Sequence, residues 1–273
     1  MSLDRDGFLS VDLDCLKDRV RWDCPDVAGL VYDVSALGQK LLPTTASLPQ
    51  TRQNLLAGVL FLRGLQSVQG AILMIERGMD LESRTLVRSA FETLFYLGAA
   101  AKEEEFVEDF MRDHIHRVDK LARAHRELSL APEEDYAKLN TAIEEARDIA
   151  GAGRALSIRD AAKRAGMDTS YQGFYRGLSN DSAHPTVMSV SSHWARDEQG
   201  APTGLLWGPE LHDRERVQDT LFLIALVGIL LIDAVNSLID DKAVEQESHA
   251  LSRTYLSLKG HTPSAELSAN KAV

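Results

Sequence analysis

Arg84, Arg88 and Glu92 are spaced R-x-x-x-R-x-x-x-E within one apolar stretch of the chain. On a helix each step of four residues drifts only about 40°, so the three side chains form a single stripe. Phe91 and Phe95 fall roughly 20° to either side of Arg84, and Leu81 lies just beyond Arg88, so both arginines enter an otherwise apolar arc. A guanidinium keeps its charge, and a buried pair therefore needs carboxylates or a bound anion in place of water. Two arrangements satisfy this. One is an internal salt-bridge network, with Asp233 or another acid of the core helix as partner. The other is a pocket that grips a phosphate or carboxylate bidentately, with Arg84, Arg88, Asn180 and Tyr175 as its anion-binding residues.

A second group is Tyr175-Arg-Gly-Leu-Ser-Asn-Asp-Ser-Ala-His-Pro185, where a short helix ends and a proline follows. Ser179, Asn180 and Asp181 crowd His184 and can orient its imidazole as a general base or acid. The structural alternative is a histidine that caps the helix and fixes the loop. Residues 112–126 hold His114, His116 and His125 in a locally basic stretch, which suits a solvated helix face or a local RNA or phosphate contact. No Glu-x-x-His or His-Glu-x-x-His, no glycine-rich phosphate loop and no Gly-x-Ser-x-Gly elbow occurs, so no metal or other cofactor is expected.

The elements that must position these groups are helical. Apolar residues recur at helical spacing over 25–42, stopped by Pro43, and again from Pro49 to Gly78, with Gly58, Gly64 and Gly70 six apart as points of close helix approach. Asp80 reads as the N-cap of a helix to about Ala101, and further helices are expected over Glu103–Leu130, 133–150, 157–165 and 169–178. Val187–Trp194 and Leu205–Trp207 flank a turn-rich segment and suggest an irregular hairpin. A core helix from about Glu210 to Asp240 and a last one to about Leu256 complete the pattern. The fold expected is all-α, a single multi-helix bundle with a loop or short β-hairpin insertion near 186–208. Residues 1–24 read as an N-terminal extension, 25–256 as the bundle and 257–273 as a flexible tail.

Lys+Arg 30 against Asp+Glu 41 leaves a net charge of −11, which excludes a broad basic coat for nucleic acid. Apolar residues at 44% and charged residues at 26% are globular values and exclude disordered and collagen-like classes. Cys15 and Cys24 fit no disulfide framework, and the acidic first residues lack the features of a signal peptide, so a reducing cytoplasm is expected. Leu221–Ile232 is apolar but falls short of the roughly 18–20 residues of a membrane span, and reads as a core helix with no membrane role.

Arg84-x-x-x-Arg88-x-x-x-Glu92, followed by Tyr175-x-x-x-Ser179 and Ala183-His184-Pro185, resembles an uncharacterised bacterial all-helical family, domain of unknown function five-six-seven-seven, over roughly residues 50–240. More distantly the chain is similar to HEPN domains, helical bundles that often dimerise and include metal-independent ribonucleases of toxin and defence systems. Their signature places an arginine four to six residues before a histidine. Here Ser179-Asn180-Asp181-Ser182-Ala183-His184 keeps the asparagine, alanine and histidine but has serine at the arginine position. The resemblance implies a homodimer and an RNA or phosphate-bearing ligand. It also implies cleavage by transesterification, with His184 moving the proton, Arg84 or Arg88 supplying the missing cation, and Glu92 and Ser179 completing the site. The alternative is a non-enzymatic helical binding or regulatory module whose Arg/Glu/His cluster is structural.

Overall fold

The structure, a computed structural model, describes residues 6–130, 132–182, 184–209 and 213–260. Two short 3-10 turns, Gly7–Leu9 and Val11–Cys15, lead into α1 (Leu16–Asp23), α2 (Pro25–Ala46), α3 (Arg52–Glu76) and α4 (Asp80–Lys102). Then come α5 (Phe106–Glu127), α6 (Glu133–Ala150) and α7 (Ile158–Arg164). A segmented helix follows, made of α8 (Asp168–Ser170), a widened π turn (Tyr171–Tyr175) and α9 (Arg176–Asp181). The short helix α10 (Val187–Ser191), strands β1 (Trp194–Arg196) and β2 (Pro202–Leu205), and helices α11 (Arg214–Ile239) and α12 (Lys242–Leu258) complete the described residues. The architecture is the expected all-α bundle with one small antiparallel hairpin. Ala183, the segment 210–212 at the expected start of the core helix, and residues 261–273 of the expected tail lie outside the described residues.

Helix α11 is the axis of the core. Leu221, Ile224, Ala225, Val227, Leu231, Ile232 and Val235 are buried on it, and α2, α3, α4 and α12 pack around it. Its apolar character extends past the 221–232 run, so that α3 and α11, with 25 and 26 residues, are both long and apolar enough to cross a membrane by length and composition. In this fold both lie against several neighbouring helices.

The glycines of α3 explain how these helices come so close. A step of six residues turns a helix by about 240°, so Gly58, Gly64 and Gly70 face three directions rather than one. An added Cβ would stand 3.4 Å from Thr45 on α2 at Gly58, 2.7 Å from Leu231 on α11 at Gly64, and 3.2 Å from Leu86 on α4 at Gly70. Each glycine therefore admits a different neighbour, and α3 is flanked on three sides.

Three local expectations are corrected. Pro43 does not stop α2, which runs one turn further to Ala46. A proline near a helix end removes few hydrogen bonds, and the last turn is held by buried Thr45, whose Oγ1 donates to the Leu41 carbonyl at 2.9 Å. The hairpin is shorter than expected, because Val187–Ser191 is helical. Thr186 and Ser189 form a capping box there, each side chain accepting from the other's backbone N–H, which nucleates a helical turn rather than a strand. β1 and β2 then pair Trp194 with Leu205 and Ala195 with Gly204, with an irregularity after Ala195. The third correction concerns Asp80 and belongs to the site.

Helices α5 and α6 form a separate arm with its own small core of Ile115, Ala122, Ile143 and Ala150. The basic stretch 112–126 lies on this arm, and its arginines are already paired. Arg112 Nε donates to the Ala150 carbonyl at 2.6 Å, while Arg117 and Arg123 meet Asp113 and Asp119 at 2.5 and 2.7 Å, one helical turn back. This is the pattern of a solvated helix face with i,i+4 pairs.

Candidate functional site

Helix α4 carries the stripe, and the segment from Asp168 to Asp181 lies along it. The contact is aromatic. Phe91 stacks on Phe174 with centroids 5.8 Å apart, and Phe95 meets the edge of Tyr175 at 5.8 Å, while Tyr171 stacks on Tyr175 at 5.4 Å. Phe91 and Phe95 are fully buried, and full burial of such a ring contributes roughly 1.5–3 kcal/mol. These rings set the register that brings Tyr175, Ser179 and Asp181 over Arg88 and Arg84.

Arg84 belongs to a closed ring of five polar residues. Its Nε lies 2.5 Å from Asp181 Oδ2, an ion pair without hydrogen-bond alignment, and its Nη1 donates to Thr220 Oγ1 at 3.1 Å. Thr220 Oγ1 donates to Asp80 Oδ1 at 2.6 Å, and Arg216 Nε donates to Asp80 Oδ2 at 2.5 Å. Arg216 Nη2 closes the ring at 3.6 Å from Asp181 Oδ1. Asp80 and Thr220 are completely buried and Asp181 nearly so. Two carboxylates face two guanidiniums, so the ring is neutral and ties α4, α9 and α11 together. Asp80 is therefore not the N-cap of α4; Met79 holds that position without a side-chain bond, and the Asp80 carboxylate turns inward. Asp233 is not the partner either. It accepts from Ser248 Oγ at 2.5 Å and joins α11 to α12.

Arg88 sits one turn further along in a more open cluster. Its Nε donates to Ser179 Oγ at 2.9 Å, its Nη2 donates to the Tyr175 hydroxyl at 2.7 Å, and its guanidinium lies 4.8 Å from the Tyr175 ring centroid. Ser179 Oγ in turn donates to the Tyr175 carbonyl at 2.9 Å. Glu92 is held loosely, 3.7 Å from Arg88 Nη1 and 3.5 Å from the Tyr175 hydroxyl, with 31% of its side chain exposed. Burial, reinforced by the Glu92 charge, pushes the Tyr175 hydroxyl above its ordinary value, so it is a neutral donor rather than a base at physiological pH.

The structure thus brings together Arg84, Arg88, Glu92, Tyr175 and Ser179. It does not join Asn180 or His184 to them through a side-chain bond. Both are exposed, and among the described residues neither side chain has a hydrogen bond or ion pair. The loop is fixed through its backbone instead. Thr186 Oγ1 donates to the Asn180 carbonyl at 2.5 Å, and Thr186 N and Ser189 Oγ donate to the His184 carbonyl at 2.8 and 2.7 Å.

Four members of the buried ring were not expected: Asp80, Asp181 in this role, Arg216 and Thr220. A signal existed for three of them. Asp80 extends the stripe by one step, D-x-x-x-R-x-x-x-R-x-x-x-E, which places an acid at each end, and Arg216 and Thr220 are spaced i,i+4 on the core helix.

Fold and site together define a helical-bundle protein whose central helices are locked by a buried arginine–aspartate ring. A family model described as a family of unknown function (DUF5677) matches residues 54–201, more than half of the chain, and the chain belongs to that family. The match stops short of the expected 50–240 and leaves Arg216 and Thr220 on α11 outside it. No curated protein and no solved structure matches the chain.

Proposed function

We propose that this chain is a non-enzymatic helical binding module in which the Arg84–Arg88–Glu92 stripe is a structural clamp. The observation that carries this is the occupancy of the guanidiniums. Arg84 faces Asp181 and Thr220, and Arg88 faces Ser179, Tyr175 and Glu92. A phosphate would have to displace buried internal partners to reach Arg84, and a displaced buried charge costs on the order of 3–5 kcal/mol. The free thiols of exposed Cys15 and buried Cys24 support a reducing, cytoplasmic setting.

The rival is a HEPN-like ribonuclease, favoured by the position of Asp181, which touches Arg84 three residues before His184. In that chemistry the RNA 2′-oxygen attacks phosphorus as a base takes its proton, the bond to the 5′-oxygen breaks, and an acid protonates that oxygen. The clamp engages Arg84 and Arg88, the two cations that this chemistry would need for the developing charge. Purified protein and His184→Ala are therefore expected to leave RNA intact alike when incubated with it in EDTA. Cleavage by the wild type that His184→Ala abolishes would overturn the binding-module assignment.

A further inference from the structure

We propose that the cleft between α3, α4 and α5 is the ligand site of this module, and that it takes an amphipathic carboxylate: an apolar body ending in one anionic head. This deepens the binding-module assignment and rests on it.

The cleft has a volume of about 510 Å³, within the range of roughly 300–1,000 Å³ that encloses small organic ligands. Its apolar wall is formed by Leu60, Tyr96, Phe110 and Met111. Such a wall favours an aliphatic or aromatic body through the area it removes from water.

The polar groups decide the charge of the head. Five charged or titratable side chains besides Tyr96 line the cleft: Arg63, Glu92, Asp113, His114 and Arg117. Asp113 is matched, because its Oδ2 meets Arg117 Nε at 2.5 Å and its Oδ1 accepts from Leu156 N at 2.8 Å. Glu92 is turned toward Arg88 and Tyr175. The Arg63 guanidinium and the His114 imidazole have no hydrogen bond or ion pair among the described residues. Arg63 is thus the charge left over, in a chain with a net charge of −11.

Tyr96 is a second, independent pointer. The residue is 8% exposed, it lines the cleft, and among the described residues its hydroxyl has no hydrogen-bond partner. Burial, followed by the Glu92 charge, pushes that hydroxyl up to about 12, so it is a donor across the physiological range. The hydroxyl opens onto the cleft, where water serves it until the acceptor of a ligand takes that place. A carboxylate lying between Arg63 and Tyr96 satisfies both, and a bidentate contact from Arg63 suits its planar head. A cationic head would meet Arg63 uncompensated, and an alcohol would leave the charge unmatched.

The test is calorimetric titration of the full chain with decanoate, decanol and decyltrimethylammonium. Saturable binding of decanoate is expected, weaker by about tenfold for decanol and absent for the cation. Arg63→Gln, an exposed change that leaves the fold intact, is expected to weaken decanoate about tenfold. Tyr96→Phe should weaken it by a smaller factor, and Leu62→Ser, on the neighbouring face of α3, should leave it unchanged. No saturable decanoate binding, equal binding of decanol, or an unaltered affinity in Arg63→Gln would overturn the proposal. RNA cleavage would remove the binding-module assignment by itself, whereas its absence together with absent decanoate binding would remove only this ligand.

Discussion

Asp80→Ala is expected to destabilise the protein by about 3–5 kcal/mol in denaturant unfolding, among the largest effects of any single charged residue here. Asp80 is completely buried and accepts from Arg216 Nε at 2.5 Å and Thr220 Oγ1 at 2.6 Å. Removing it leaves the Arg216 guanidinium with only Asp181, 3.6 Å away, and leaves the Thr220 hydroxyl to the Arg216 carbonyl at 3.1 Å. The cost comes from the partners left behind, since a buried ion pair as a whole adds little net stability. The contrast is Lys40 with Glu247, a 2.6 Å pair whose side chains are 62% and 47% exposed. Glu247→Ala there is expected to cost within about 1 kcal/mol. Equal effects at the two sites would show that Asp80 is not part of a desolvated ring.

The second large effect is steric. Gly228 on α11 faces α2 so closely that an added Cβ would stand 2.5 Å from Val34 Cγ1, and Val34 is almost fully buried. Gly228→Val must therefore push α11 off α2 and α3, and a loss of at least about 1–3 kcal/mol is expected from overpacking. Gly177→Ala is the matched control. Nothing lies within 4 Å of a Cβ at that position of α9, so the change should be neutral or stabilise by up to roughly 1 kcal/mol through helix propensity. Thermal unfolding of both variants distinguishes a close helix approach at Gly228 from glycine used merely as a weak helix former.

Much of the fold was legible because helical periodicity is a local signal. The run Leu221–Ile232 announced a core helix, and Phe91 and Phe95, flanking Arg84 in angle, announced that the arginines enter an apolar arc. The same angular argument places Arg88 and Glu92 on one stripe with Arg84, while Tyr175 and Ser179 join them through the family resemblance rather than through periodicity. What it missed depends on tertiary partners. Asp80 stands where an N-cap is expected, and no local rule distinguishes a capping carboxylate from one drawn inward by an arginine 136 residues away. Asp181 was visible only as a neighbour of His184, because its contact with Arg84 depends on how α9 lies against α4. The capping box at Thr186 and Ser189 was equally local, and it overrode the β-pattern of Val187–Trp194.

The clamp also gives meaning to the acidic balance of the chain. Arg84 and Arg216 are matched to Asp80 and Asp181, and Arg117 and Arg123 of α5 to acids one turn back, so none of these four cations is left to a polyanion. Arg63 is an exception within the α3–α4–α5 cleft, which is why that cleft rather than the stripe carries the ligand proposal.

The most direct test of the clamp is a double-mutant cycle on Arg84 and Asp181, read by denaturant unfolding with Arg84→Met and Asp181→Asn. Coupling of about 1.5–3 kcal/mol is expected, each single change stranding the other partner and the double change costing far less than the sum. Additive effects within about 0.5 kcal/mol, with Arg84→Met keeping full stability while losing inorganic phosphate binding that the wild type shows, would contradict the clamp and restore the anion pocket.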